Sequence, residues 1–153
     1  MGAVVDASVT LPWFLHDERT AFTDAVFAGL GEIEYWVPAV WRLEFPNALL
    51  IAERRRRIDR QTRLEALDLA AALGLRVDAV PVDMRVISTL AERHGLSTYD
   101  AAYLELALRE GLGLITLDRT LAQAASAAGI AVQSPGRGTA AQSRKRYAAR
   151  TAA

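Results

Sequence analysis

The sequence predicts an α/β domain in which a central, mostly parallel sheet of about five strands lies between helical layers. Short β-type runs alternate with longer helical ones, the pattern that feeds a parallel sheet. The helical runs stop repeatedly at glycine, at Gly74, Gly95, Gly111 and Gly129. A length of 153 residues suits one domain with one core.

The first strand is predicted at Ala3 to Asp6, where Ala3, Val4 and Val5 run into an acid. An amphipathic helix follows over Arg19 to Leu30, then a second strand at Tyr35 to Pro38. The segment Ala39 to Arg57 reads as a helix, apolar on nearly every side at first, and Thr62 to Leu73 as a Leu- and Ala-rich one. Pro46 interrupts the first of these, so that helix either begins near Leu43 or kinks at the proline. A third strand is predicted at Ala79 to Val82, followed by helices over Asp83 to His94 and Tyr99 to Glu110. Leu112 to Thr116 is the fourth strand, Arg119 to Ala128 the last helix, and Ile130 to Gln133 the fifth strand. Residues 1–134 thus form the domain, and 135–153 a basic tail. Beyond Ser134-Pro135-Gly136 the large apolar residues vanish apart from Tyr147, so this tail is expected to be disordered.

Net charge is zero, with 18 bases and 18 acids. The balance is uneven. The tail carries Arg137, Arg144, Lys145, Arg146 and Arg150 with no acid, leaving 13 bases against 18 acids in the body. The absence of cysteine excludes disulfides and thiolate metal sites, and only His16 and His94 supply imidazole. Neither histidine falls among the candidate ligands, and both read as surface or helix-end residues. No apolar run approaches the roughly 18 residues of a membrane span. The start Met1-Gly2-Ala3 lacks the basic opening and cleavage site of a signal peptide, so a soluble, cytoplasmic protein is expected.

Four acids stand out. Asp6 ends the first strand and Asp118 follows the fourth, and open α/β sheets bind ligands beyond the carboxyl ends of their strands. Aspartate is also a favoured helix N-cap, which is the ordinary role for each taken singly. Asp100 lies on the apolar stripe of its helix with Tyr103, Leu104, Ala107 and Leu108, while Glu105 and Glu110 take the solvent side. Ser97 and Asp100 are also spaced as a capping box with Asp in place of Glu. Glu44 interrupts an apolar segment. There it must find a partner such as Asn47 one turn on, take a proton, bind a cation, or pair with Arg42 at the surface. One shared cation accounts for all four, because clustered carboxylates repel unless something positive lies among them. With oxygen ligands alone, Mg²⁺ or Mn²⁺ fits best, and Mg²⁺ is commonly shared with substrate phosphate. That points to phosphoester chemistry.

The stretches DAS at 6–8, LEFPNAL at 43–49, LSTYDAAYLELA at 96–107 and LITLDRTLAQAA at 114–125 resemble the motifs of the PIN-domain family, in the family's order. The similarity spans roughly residues 3–133, and size and layout are most similar to VapC-type toxins of toxin-antitoxin pairs. The resemblance implies a three-layer α/β/α PIN-like fold and Mg²⁺- or Mn²⁺-dependent endonucleolytic cleavage of RNA. It also implies that Asp6, Glu44, Asp100 and Asp118 hold the metal and act in catalysis, with Ser8, Asn47 and Thr116 assisting. Ser8 reads equally as a donor orienting Asp6 and as a cap of the next helix. A homodimer and a cognate antitoxin are the implied partners, with no membrane association. Exposed members of Trp13, Phe14, Trp36, Trp41 and Phe45 are candidates for those contacts.

The run Arg54, Arg55, Arg56 and Arg57 is the strongest basic cluster in the body. It reads either as a grip on RNA phosphates or as cations at a helix C-terminus. Other readings of the acidic pocket fare worse. A haloacid-dehalogenase-type phosphatase needs an acid two residues after Asp6, where Ser8 stands, and a phosphoacceptor receiver needs a lysine near the last strand. The only lysine is Lys145. A housekeeping RNA-processing nuclease of the same fold, or a PIN-fold binding module with little turnover, remains an alternative.

Overall fold

The structure, a computed structural model, describes residues 1–136. Of the predicted tail, residues 137–153 lie outside the described residues. Five parallel strands make one sheet: β1 (Gly2–Val5), β2 (Glu34–Val37), β3 (Arg76–Val77), β4 (Gly113–Ile115) and β5 (Val132–Gln133). The order across the sheet is β3-β2-β1-β4-β5, with Ala3 paired to Tyr35 on one side and to Gly113 on the other. Chain order proceeds away from β1 toward β3, then returns to β4 on the opposite side. The strand order therefore reverses at β1 and β4, the position beyond whose carboxyl ends open α/β sheets bind ligands.

Among the described residues, seven α-helices accompany the sheet: α1 (Ala7–Thr10), α2 (Ala21–Ala28), α3 (Trp41–Arg54), α4 (Arg60–Ala72), α5 (Met84–His94), α6 (Thr98–Glu110) and α7 (Arg119–Ala127). Helix α6 packs on β1 and β4, α5 packs on α6, and α7 packs on α6, β4 and β5. The central strand β1 and its neighbour β4 are apolar without alternation, as expected where both faces are covered. Val4, Val5, Tyr35, Leu49, Tyr103, Leu104, Leu106, Leu114 and Leu121 form the centre of the core. Gly95 and Gly111 end α5 and α6 in the left-handed conformation, at φ 64° and 65°, where a side chain would be strained.

Several sequence expectations are corrected. The third strand is Arg76–Val77, and 79–82 is exposed chain. Pro81 has no N–H to give a neighbouring strand. The Asp78 carboxylate takes the Val80 N–H at 3.3 Å, and the last ladder bond runs from the Asp78 N–H to the Val37 carbonyl at 2.9 Å. Before α2 lie a helical turn at α1 and two 3₁₀ turns, Leu11–Trp13 and His16–Glu18, too short to show a period in sequence. Helix α3 begins at Trp41 rather than at Leu43 and carries Pro46 inside it. Only the Arg42 carbonyl loses an N–H partner at the proline, and Arg42 is exposed to water. Helix α4 begins before Thr62, because Asp59 caps it by accepting the Thr62 N–H at 2.7 Å.

The arginine run is the turn that ends α3 rather than a helix face. Arg56 has φ 58°, a left-handed position usually given to glycine, and the Arg57 N–H closes back on the Ala52 carbonyl at 2.9 Å. Such a conformation costs about 1 kcal/mol for a residue with a Cβ. The following side chain helps to hold it: Arg57 Nη2 donates to Asp17 at 2.8 Å and to the buried Glu18 at 3.0 Å. Of the large aromatic residues, Trp41 and Phe45 are buried and stacked with centroids 5.0 Å apart. Trp13, Phe14 and Trp36 are half-buried, so none of the five is an open surface residue.

Candidate active site

Asp6 is the first residue past β1, at the carboxyl end of the central strand. Its backbone N–H extends the ladder to Ile115 at 3.0 Å, so its side chain stands beside Thr116, the first residue past β4. The chain leaving β1 turns at once into α1, which brings Ser8 back over the same point. The Ser8 Oγ donates to Asp6 Oδ2 at 2.6 Å, and the Thr116 Oγ1 donates to the same oxygen at 2.9 Å. Each hydroxyl also accepts a backbone N–H from the β4 exit: Leu117 to Ser8 at 3.0 Å, and Asp118 to Thr116 at 2.9 Å. Both hydroxyl protons are thereby directed at Asp6. Ser8 orients Asp6 and caps nothing, since α1 has no side-chain cap bond.

Asp118 does cap, as its sequence position allowed: Oδ1 accepts the Leu121 N–H at 2.9 Å at the start of α7. Its other carboxylate oxygen makes no hydrogen bond among the described residues. Asp100 stands in the first turn of α6, half-buried, and the Ser97 half of the capping box is present, with Ser97 Oγ accepting the Asp100 N–H at 3.1 Å. Leu108, expected on the buried stripe of the same helix, is instead exposed near its end. Glu44 lies in the first turn of α3 and accepts the hydroxyl proton of Tyr103 at 2.8 Å. Asn47 is exposed, and Arg42 is exposed without an ion pair among the described residues.

Tyr103 was missed as a site residue. The signal was there, since it falls three positions after Asp100 on the same face of α6 and brings a hydroxyl to a fully buried position that needs a partner. Replacing it by Phe leaves Glu44 without this donor. We expect Tyr103→Phe to weaken divalent-metal affinity by about tenfold, the usual size of effect for a group that orients a ligand, as read by isothermal titration of Mn²⁺. Unchanged affinity would show that Glu44 is held by other contacts.

The electrostatics converge on Asp6. Its carboxyl is fully buried, and its pKa is pushed from 3.8 to about 7. Burial is the largest cause, followed by the charges of Asp100 and Glu44, with the Ser8 hydrogen bond opposing and Asp118 adding least. The four predicted acids are therefore one electrostatic cluster. One atom in it is unsatisfied: Asp6 Oδ1 is buried and has no hydrogen-bond partner, a loss that usually costs about 1–3 kcal/mol. A lone buried acceptor among carboxylates suits a hard divalent cation, which would relieve both the desolvation and the repulsion. Among the described residues, no three His, Asp or Glu side chains are gathered closely enough to hold one ion by direct contact. The cluster alone is an incomplete ligand shell.

Of the arginine run, Arg54 ends α3, Arg55 and Arg56 are exposed in the turn that follows it, and Arg57 is engaged by Asp17 and Glu18. His16 is exposed and His94 sits at the end of α5, both away from the acids in the elements that carry them.

Comparison with known proteins gives a consistent result. The pattern that defines the PIN domain matches residues 3–127. Ribonuclease VapC3 of Pyrobaculum aerophilum is 32% identical over 126 residues, which cover 80% of this chain and 94% of that protein. A crystal structure of the Pyrobaculum aerophilum protein PAE2754 superposes with a TM-score of 0.67 at 22% identity, covering 97% of this chain and 90% of the other. The crystal structure of VapBC2 from Rickettsia felis, bound to a DNA fragment from its promoter, gives a TM-score of 0.60 at 10% identity over 88% and 98% of the two chains. At these identities the two structures speak for the fold.

Proposed function

Since the chain belongs to the PIN-domain family, we propose that it is a metal-dependent endoribonuclease acting as the toxin of a toxin-antitoxin pair. The observation that carries the metal requirement is Asp6 Oδ1, a buried, unpartnered oxygen on a carboxylate that feels the charges of three further acids. Asp6, Glu44, Asp100 and Asp118 are the residues that would hold Mg²⁺ or Mn²⁺. Their loose gathering matches a cation that keeps several of its own waters and takes its remaining ligands from substrate phosphate. When bound, such a cation activates water and offsets charge on the scissile phosphate.

The protein's own residues do the positioning. Ser8 and Thr116 fix Asp6 Oδ2 by two hydroxyl hydrogen bonds, which leaves Oδ1 aimed into the cluster. Tyr103 turns Glu44 toward the cluster, and the Leu121 N–H fixes one oxygen of Asp118 and leaves the other open. No side-chain nucleophile is required. A cognate antitoxin that masks this face, and a homodimer, complete the reading; the relationship to Ribonuclease VapC3 supports its ribonuclease part. The site lies at residues beside β1 and β4, and no helix among the described residues is long and apolar enough to cross a membrane.

Expression of the wild type in a bacterial host is expected to arrest growth, with Asp100→Asn relieving the arrest. The purified wild type should cleave RNA when Mg²⁺ or Mn²⁺ is added and not in chelator. Equal cleavage by wild type and Asp100→Asn would overturn the catalytic role and favour a PIN-fold binding module.

A further inference from the structure

Next to Asp118, and on the side away from the core, a cavity of about 450 Å³ runs along α7. One wall is the helix itself: Arg119, Ala122, Gln123 and Ser126 recur at the spacing of a single helical face. Leu121, Ala124 and Ala125 point the other way and are buried. The opposite wall is Val132, Ser134 and Pro135, where the chain leaves β5. Leu117 and Asp118 form the end nearest the acids, so the cavity opens directly from the site.

Its chemistry is mixed in a particular way. Leu117, Ala122, Val132 and Pro135 offer flat apolar contact, while Gln123, Ser126 and Ser134 offer hydrogen-bonding groups. Small side chains at 122 and 126 keep the space open where larger ones on the same helix face would close it. At its mouth stands Arg119, exposed and without an ion pair or hydrogen bond among the described residues, one position from a catalytic acid. An unpaired guanidinium beside a cluster of carboxylates that must receive a polyanion is suited to a phosphate.

We propose that this cavity is the subsite for the nucleotide flanking the scissile phosphate of a single-stranded RNA, with Arg119 on its phosphate and Gln123 and Ser126 reading its base. The inference rests on the nuclease reading above and deepens it by locating where base preference is set. A base has apolar faces and polar edges, which are the two surfaces this cavity presents. A volume of about 450 Å³ lies within the usual range of small-ligand sites and is enough for a nucleotide.

The test uses the full chain carrying Asp100→Asn, so that bound RNA stays intact, and follows anisotropy of a short labelled single-stranded RNA in Mg²⁺ against a panel of sequences. Adding Ser126→Trp, which fills the cavity from an exposed position, is expected to weaken binding about tenfold and to erase the preference among bases at one position. Arg119→Glu should weaken all sequences alike and lower the salt slope of log K by about one. Ser88→Trp, an exposed change on α5, serves as the control that leaves binding as it was, and thermal unfolding of each variant confirms the fold. Affinity and base preference in the Ser126→Trp variant equal to those of Asp100→Asn alone, with cleavage by the wild type intact, would overturn the subsite and leave the nuclease reading standing. A wild type that cleaves nothing while Ser126→Trp still erases base preference would overturn the nuclease reading and sustain the subsite.

Discussion

Asp6→Asn is expected to lower RNA cleavage by more than the tenfold to hundredfold loss typical of residues that only orient a metal ligand, while making the metal-free protein more stable. The two effects have one cause. Asp6 is fully buried among three acids, with Oδ1 unpartnered. The amide of asparagine keeps an oxygen for the Ser8 and Thr116 hydroxyls and puts an uncharged N–H₂ where the orphaned oxygen was, facing acceptors. It relieves the repulsion and removes the charge that a cation needs. A metal-site acid gives gain of stability and loss of activity together, whereas a structural acid gives loss of both. Steady-state cleavage and denaturant unfolding on the same preparation decide the matter, and a less stable Asp6→Asn would refute the cation-site reading of this carboxyl.

The second large effect is a pH dependence of the metal-free wild type. In the folded chain Asp6 keeps its proton up to about pH 7, while in the unfolded chain it releases it near 3.8. Between those values the folded state holds the extra proton, so this group's stabilisation is complete below pH 3.8 and is lost as pH rises through 7. The full span amounts to something on the order of 4 kcal/mol as an upper bound, at about 1.36 kcal/mol per pK unit. In chelator, the stability of wild type relative to Asp6→Asn should therefore fall steadily from pH 5 to about pH 8, and Mg²⁺ should flatten that fall by favouring the charged form. Parallel curves for the two proteins in chelator would show that Asp6 does not titrate in this range.

Much of this was legible from sequence because the signals are local. The alternation of short apolar runs with helices ending at glycine marked four of the five strands, and it failed at residues 79–82. There, apolar composition suggested a strand, but Pro81 and the Asp78 turn deny the backbone a partner. Asp100 and Asp118 were identifiable from helix phase and strand ends. What the sequence could not show was who partners whom across the fold. Ser8 reads in sequence equally as a donor to Asp6 and as a cap, and the choice between them depends on Leu117, far along the chain. Helical spacing offers Asn47 as one of several answers for Glu44, and Tyr103 from another helix supplies a bond that spacing does not show. Arg57 belongs to a basic run in one dimension and to an ion pair with Asp17 and Glu18 in three.

The bonds between the exits of β1 and β4 also bear on when the acid cluster comes together as the chain is made. Thr116, which holds Asp6, is synthesised 110 residues after it, and Asp118 later still. Until β4 slots in beside β1, Asp6 has neither its Thr116 hydroxyl nor its fourth acid, and Ser8 lacks the N–H that turns its proton toward Asp6. The cluster is thus assembled in one step, when β4 docks, and not gradually as each acid emerges.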